Sequence, residues 1–155
     1  MKLLKNLRRL VLLSNFFFVS LSGWAWAAEK TPQTVQVTIR TILAGNKVDE
    51  FDPKLKDMEQ QLKSLKYRSY RSLKDDTKTV NWQGTQAFEI PGSRSLTVAP
   101  QEFQNNRISL KVRLTEGAKP IVDTTVKIPN KGNLILGGPA HEGGVLVLSI
   151  SAAAQ

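Results

Sequence analysis

Apolar and polar residues alternate along most of this 155-residue chain. Val35, Val37 and Ile39 alternate with Gln36, Thr38 and Arg40, the period-two pattern of a strand with one buried face. Ala44-Gly45-Asn46 closes that run with turn residues. The cleanest alternation lies in residues 107–114. Ile108, Leu110, Val112 and Leu114 fall on one face, and Arg107, Ser109, Lys111 and Arg113 on the other. Shorter β-like runs cover residues 67–73, 78–82, 86–90, 95–98, 121–128, 133–136 and 145–150. Pro91-Gly92, Asn130-Lys131-Gly132 and Gly143-Gly144 separate some of them as turns. The last residues, 151–155, read as a tail that frays.

One segment has a different period. Leu55, Met58, Leu62 and Leu65 recur at helical spacing, with Asp57, Glu59, Gln60, Gln61 and Lys63 on the other side. Asp52 is a natural N-cap and Pro53 suits the first helical position. This predicts a helix of about 14 residues, too short to persist without packing. The expected class is α+β and β-rich: an antiparallel sheet or sandwich-like core with one N-terminal amphipathic helix packed on it. No internal repeat divides residues 28–155, which are expected to form a single exported domain. The strand–helix–strand unit of residues 35–73 is an alternative small lobe; parallel pairing of its strands would require a right-handed crossover.

Residues 1–27 read as a signal peptide. Lys2, Lys5, Arg8 and Arg9 form a basic start, an apolar stretch covers residues 10–21, and Ala25-Trp26-Ala27 supplies a small-x-small cleavage site. The apolar stretch is shorter than the roughly 20 residues of a spanning helix. The expected location is therefore periplasmic or secreted, with no transmembrane segment after cleavage. Four of the 22 basic residues and none of the 13 acidic ones lie in this leader. That leaves 18 against 13, a net charge of +5 rather than +9.

Composition then removes chemistries. There is no Cys and one His, which excludes a disulfide framework, a thiolate nucleophile and a multi-His zinc site. Asp49-Glu50-Phe51-Asp52 lacks the spacing of a calcium loop, and no Ser sits in a nucleophile-elbow sequence. The chain reads as a non-enzyme without cofactor or metal.

Three segments remain as candidates. In Tyr67-Arg68-Ser69-Tyr70-Arg71-Ser72, basic residues interleave with aromatics. A strand would put Arg68 and Tyr70 on one face and Tyr67 and Arg71 on the other, so no aromatic platform forms and no nucleic-acid partner is expected. Arg107, Lys111 and Arg113, with Arg68 and Tyr70, make the candidate interaction face for an acidic partner. Gly137-Gly138-Pro139-Ala140-His141-Glu142-Gly143-Gly144 is the candidate functional loop. No helix follows it to complete a phosphate cradle, so it reads as a loop between two buried strands, with His141 solvated.

Thr124-Thr125-Val126-Lys127-Ile128-Pro129-Asn130-Lys131-Gly132-Asn133-Leu134-Ile135-Leu136-Gly137-Gly138 resembles the secretin domain of bacterial secretion and pilus channels. That family shows a strand, a turn ending in Gly, a hydrophobic strand and a Gly-Gly pair. Here Pro139 and four further residues lead to Gly144, in place of the longer membrane-inserting segment of secretins. The resemblance thus implies a soluble accessory of envelope machinery, not a pore, and carries over no catalytic residue.

The expected function is a non-enzymatic protein-interaction module, accessory to cell-envelope secretion or assembly, with an envelope protein as partner. The alternative is a small-ligand or polyanion carrier with a pocket between helix and sheet. A hydrolase centred on His141 and Glu142 would need a nucleophile or metal within hydrogen-bond reach of the imidazole.

Overall fold

The structure is a computed structural model and describes residues 31–155. The signal-peptide assignment to residues 1–27 lies outside them. Among the described residues, no helix is long and apolar enough to cross a membrane.

Among the described residues, nine strands form two sheets. In chain order they are β1 (Thr34–Gly45), β2 (Glu50–Phe51), β3 (Ser69–Asn81), β4 (Gln86–Ile90), β5 (Arg94–Gln104), β6 (Arg107–Glu116), β7 (Lys119–Pro129), β8 (Gly132–His141) and β9 (Gly144–Ala154). The five-stranded sheet has the order β2-β3-β1-β9-β8, and the four-stranded sheet is the meander β4-β5-β6-β7. All pairs are antiparallel except the short β2–β3 pair.

Period-two sequence becomes two-layer packing. Val35, Val37 and Ile39 of β1 and Leu146, Leu148 and Ile150 of β9 meet Phe88, Leu96, Val98, Leu110, Val112 and Leu114 of the other sheet in one buried cluster. The β-rich expectation and the sheet-on-sheet core are therefore found. The helix differs from expectation. It is not N-terminal but follows β1 and β2, as a 3-10 segment (Pro53–Met58) running into α1 (Glu59–Lys63). Asp52 caps it and Pro53 opens it, as the sequence predicts. Leu55, Met58 and Leu62 pack on Ile42, Ala44, Tyr70 and Val147, a second core on the outer face of the five-stranded sheet. Leu65 falls beyond the last turn and is 37% exposed. A 3-10 turn advances 3.0 residues and an α turn 3.6, so an even helical spacing overstates the helix.

Other corrections concern strand extent. Residues 67–73 and 78–82 are not two strands; β3 runs through the polar Lys74-Asp75-Asp76-Thr77-Lys78 between them. Pairing with β1 holds this stretch, with Thr38 and Thr77 hydroxyls 2.9 Å apart and Arg40 Nε 3.4 Å from Asp75. Opposite Thr41 and Ile42 the register skips Leu73, a β-bulge. The bulge changes the face that β3 presents: Tyr70 packs under the helix, whereas Val80 packs between the sheets. β1 and β3 pair antiparallel; the parallel pair joined through the helix is instead the two-residue β2 with the start of β3. Residues 151–155 do not fray: β9 reaches Ala154, and Gln155 and Thr34 exchange backbone hydrogen bonds.

Asp52 joins the helix to β3. Its carboxylate accepts from Lys54 N–H at 3.0 Å and Ser72 N–H at 3.1 Å. These two backbone bonds hold its carboxyl below the usual carboxylate range. A depressed folded value stabilises above the unfolded pKa, about 3.9, and the gain is lost as pH falls through the folded value. Asp52→Asn keeps one capping acceptor and removes the charge. It is expected to be less stable than the parent at about pH 7, with the gap closing on acidification below about pH 4. Denaturant midpoints across that range check this; a gap constant with pH would mean that the charge contributes nothing.

The sheet edges are finished in different ways. β4 turns the Ala87 and Glu89 carbonyls outward, and Lys78 Nζ and Lys74 Nζ from β3 reach them at 2.6 and 3.4 Å. β2 has two residues. β8 is bulged between Gly137 and Ala140, where Pro139 has no N–H to offer.

Candidate functional site

Arg107, Lys111 and Arg113 share the outer face of β6 because Ile108, Leu110, Val112 and Leu114 point into the core. Their cross-strand neighbours on that face are Gln104, Ala99 and Thr97 of β5 and Pro129, Thr125 and Asp123 of β7. Lys127 of β7 lies opposite Ser109, between Arg107 and Lys111. The face thus mixes Gln, Thr, Asp, Ala and Pro side chains and is crossed by a basic row. Arg113 Nε stands 3.9 Å from Asp123; among the described residues Arg107 and Lys111 have no ion-pair partner.

Arg68 and Tyr70 do not belong to this face, because they lie with the other sheet. Arg68 precedes β3 and grips Asp49 with two nitrogens at 2.9 and 2.7 Å. Hydrogen bonding and charge together hold the Asp49 carboxyl below its ordinary range and raise the guanidinium. Tyr70 is 2% exposed. Its hydroxyl donates to the Leu62 carbonyl and accepts from Tyr67 N–H, which ties α1 to the sheet. Tyr70 is therefore corrected from an interaction residue to a core residue. Its alternation in sequence could not show that a bulge and a helix would cover it.

The glycine-rich candidate is mostly strand, not loop. Gly137, Gly138 and His141 lie in β8, and only Glu142 and Gly143 form the turn, both at positive φ. Gly138 is required by close approach: a Cβ there would stand 2.9 Å from the Leu146 carbonyl oxygen.

His141 is not solvated. Its side chain is 15% exposed, with Nδ1 3.3 Å from Arg94 Nη1 and Nε2 3.8 Å from Glu142. Guanidinium nitrogens only donate, so in this contact Nδ1 can serve only as the acceptor. Arg94, whose side chain is 9% exposed, is the hub. It also donates to the Pro91 and Ala140 carbonyls at 3.0 and 3.1 Å, and to Glu116 at 3.0 Å. One guanidinium thus links the β4–β5, β6–β7 and β8–β9 turns. Neither Arg94 nor Glu116 has a local sequence signal, because their partners are distant in the chain. No hydroxyl hydrogen-bonds to His141 among the described residues, and no group of three or more His, Asp or Glu is spaced for a metal there. The cluster's geometry is that of a structural tie.

The space between helix and sheet is filled by Leu55, Met58, Leu62 and Tyr70. Beside this packing, Arg40, Asp57, Met58, Gln61, Asn133 and Ser151 line a small open groove between the helix and the sheet. No family model matches this chain, and no curated protein or solved structure matches it either.

Proposed function

We propose that this chain is a non-enzymatic protein-interaction module, periplasmic or secreted, accessory to cell-envelope secretion or assembly. It receives an acidic protein surface on the outer face of the four-stranded sheet. The observation that carries this reading is the exposed row of Arg107, Lys111 and Arg113, extended by Lys127, on a flat antiparallel face. Cations on such a face steer an oppositely charged partner and set its register. The segment that resembles secretins supports the envelope setting; in this fold it runs from Thr124 in β7 through the turn to Gly138 in β8.

A C-terminally tagged copy recovered from its native envelope is expected to bring an acidic envelope protein with it, identified by mass spectrometry. Arg107→Glu combined with Lys111→Glu is expected to reduce recovery about tenfold or more, since charge reversal replaces attraction by repulsion. Both side chains are exposed, so the melting temperature should hardly move. Equal recovery with parent and variant would remove this face from the proposal.

A further inference from the structure

The free edge of β7 carries an inference that does not depend on the partner proposed above. Backbone parity identifies what that edge offers. Asn105 and Asn106, at φ 54° and 58°, form a two-residue hairpin turn, so Gln104 and Arg107 exchange backbone hydrogen bonds. Along β6 the alternate residues Ile108, Leu110, Val112 and Leu114 then point their backbone groups at β7. Their partners Ile128, Val126, Thr124 and Val122 point back. The bond from Asn130 N–H to the Asn106 carbonyl, 2.9 Å, has the same parity. Asp123, Thr125 and Lys127 are left with N–H and C=O directed away from the sheet. Among the described residues, no side chain caps them as Lys74 and Lys78 cap β4. The edge is also long and unbroken by a bulge from Val122 to Ile128. An open row of this kind is a template for another strand.

The sequence of β7 says which strand. Antiparallel pairing of β7 with itself, centred on Thr125, sets Asp123 opposite Lys127 of the second copy, and Lys127 opposite its Asp123. On the inner face it sets Val122 opposite Ile128 and Thr124 opposite Val126. Every outward-pointing residue then meets an outward-pointing residue, as an antiparallel ladder requires. Centring on Asp123 or Lys127 instead would place like charges face to face, which opposes pairing. Val122 and Val126, only partly buried here, would gain cover. We infer that two copies of this chain join through β7, about a two-fold axis at Thr125, to make one continuous eight-stranded sheet. Arg113, Asp123 and the second copy's Lys127 would form a charge row across the junction, extending the Arg113–Asp123 contact already present. The basic outer faces of both copies would lie side by side.

Sedimentation equilibrium on the purified protein tests this. The parent is expected to be dimeric at about 10–100 µM, at the weak end of the micromolar-to-picomolar range that interfaces span. Lys127→Asp places carboxylates opposite each other and is expected to weaken the dimer about tenfold or more. Adding Asp123→Lys reverses both charges and is expected to restore it, which only this register predicts. In a chain with no native Cys, Thr125→Cys is expected to form an intermolecular disulfide readily, because directly opposed residues meet the Cα spacing for one, about 4.4–6.8 Å. Ala99→Cys, on the same face but away from the edge, is not. A parent that stays monomeric, or a dimer that ignores the charge swap and cross-links equally at residue 99, would overturn the inference. A strand from a different protein captured at this edge would likewise overturn self-pairing.

Discussion

Replacing Phe88 by Ala is expected to lower the unfolding free energy by about 3–5 kcal/mol. The ring is fully buried between the sheets, and Lys78 Nζ lies 5.0 Å above its centroid. β4 has only five residues and pairs with β5 alone, so little else holds it against the core. The effect therefore combines lost apolar burial with a cavity that β4 can only partly close. Losing β4 would also expose the Ala87 and Glu89 carbonyls and free two ammonium groups. Phe88→Leu keeps most of the volume and should cost about 1.5 kcal/mol or less. Urea denaturation of both variants checks the pair. Against a total of about 5–15 kcal/mol, the Ala variant sits near the limit of folding. A loss below about 1 kcal/mol would show that β4 is dispensable to the core.

Arg94→Met is expected to cost about 2–3 kcal/mol. The substitution keeps apolar bulk and removes every donor. The Pro91 and Ala140 carbonyls and His141 Nδ1 then lose their partner in a confined place. Breaking one side of a buried charged network costs about 3–5 kcal/mol; Glu116 is half exposed and regains water, which lowers the figure. Arg94→Lys should recover only part, since a single ammonium cannot span a fork of acceptors. Hydrogen exchange gives a second readout: the three turns should lose protection together in the Met variant. Independent loosening of one turn would mean that the guanidinium does not link them.

These two residues show what the sequence makes legible and what it hides. Strands with an unbroken period of two, such as β6, appear at their observed faces because each core residue is flanked by a polar one. Phe88 lies in such a run. The cap and first turn of the helix were also legible, since Asp52 and Pro53 act on their immediate neighbours. Features made by distant parts of the chain were not. β3 reads as two strands because its polar middle is held by β1 and by Lys contacts to β4, neither of which leaves a local pattern. Tyr70 reads as exposed because the Leu73 bulge and the helix decide its side. His141 reads as solvated because Arg94, which encloses it, is placed by another hairpin. The basic row on β6 was legible in full, whereas Arg68 joined it only in sequence.

β1 has β3 on one side and β9 on the other, with Val35 opposite Ala154 and Ala44 opposite Val145. The first strand of the sandwich thus waits for the last. Contacts between such remote positions are the kind that slow folding to about milliseconds or seconds, since a long loop must close before they form. During synthesis the middle of the five-stranded sheet lacks one partner until β9 has emerged. Until then Val35, Val37 and Ile39 of β1 lack the Leu146, Leu148 and Ile150 part of their core, and a chain cut short before β9 should be prone to aggregate.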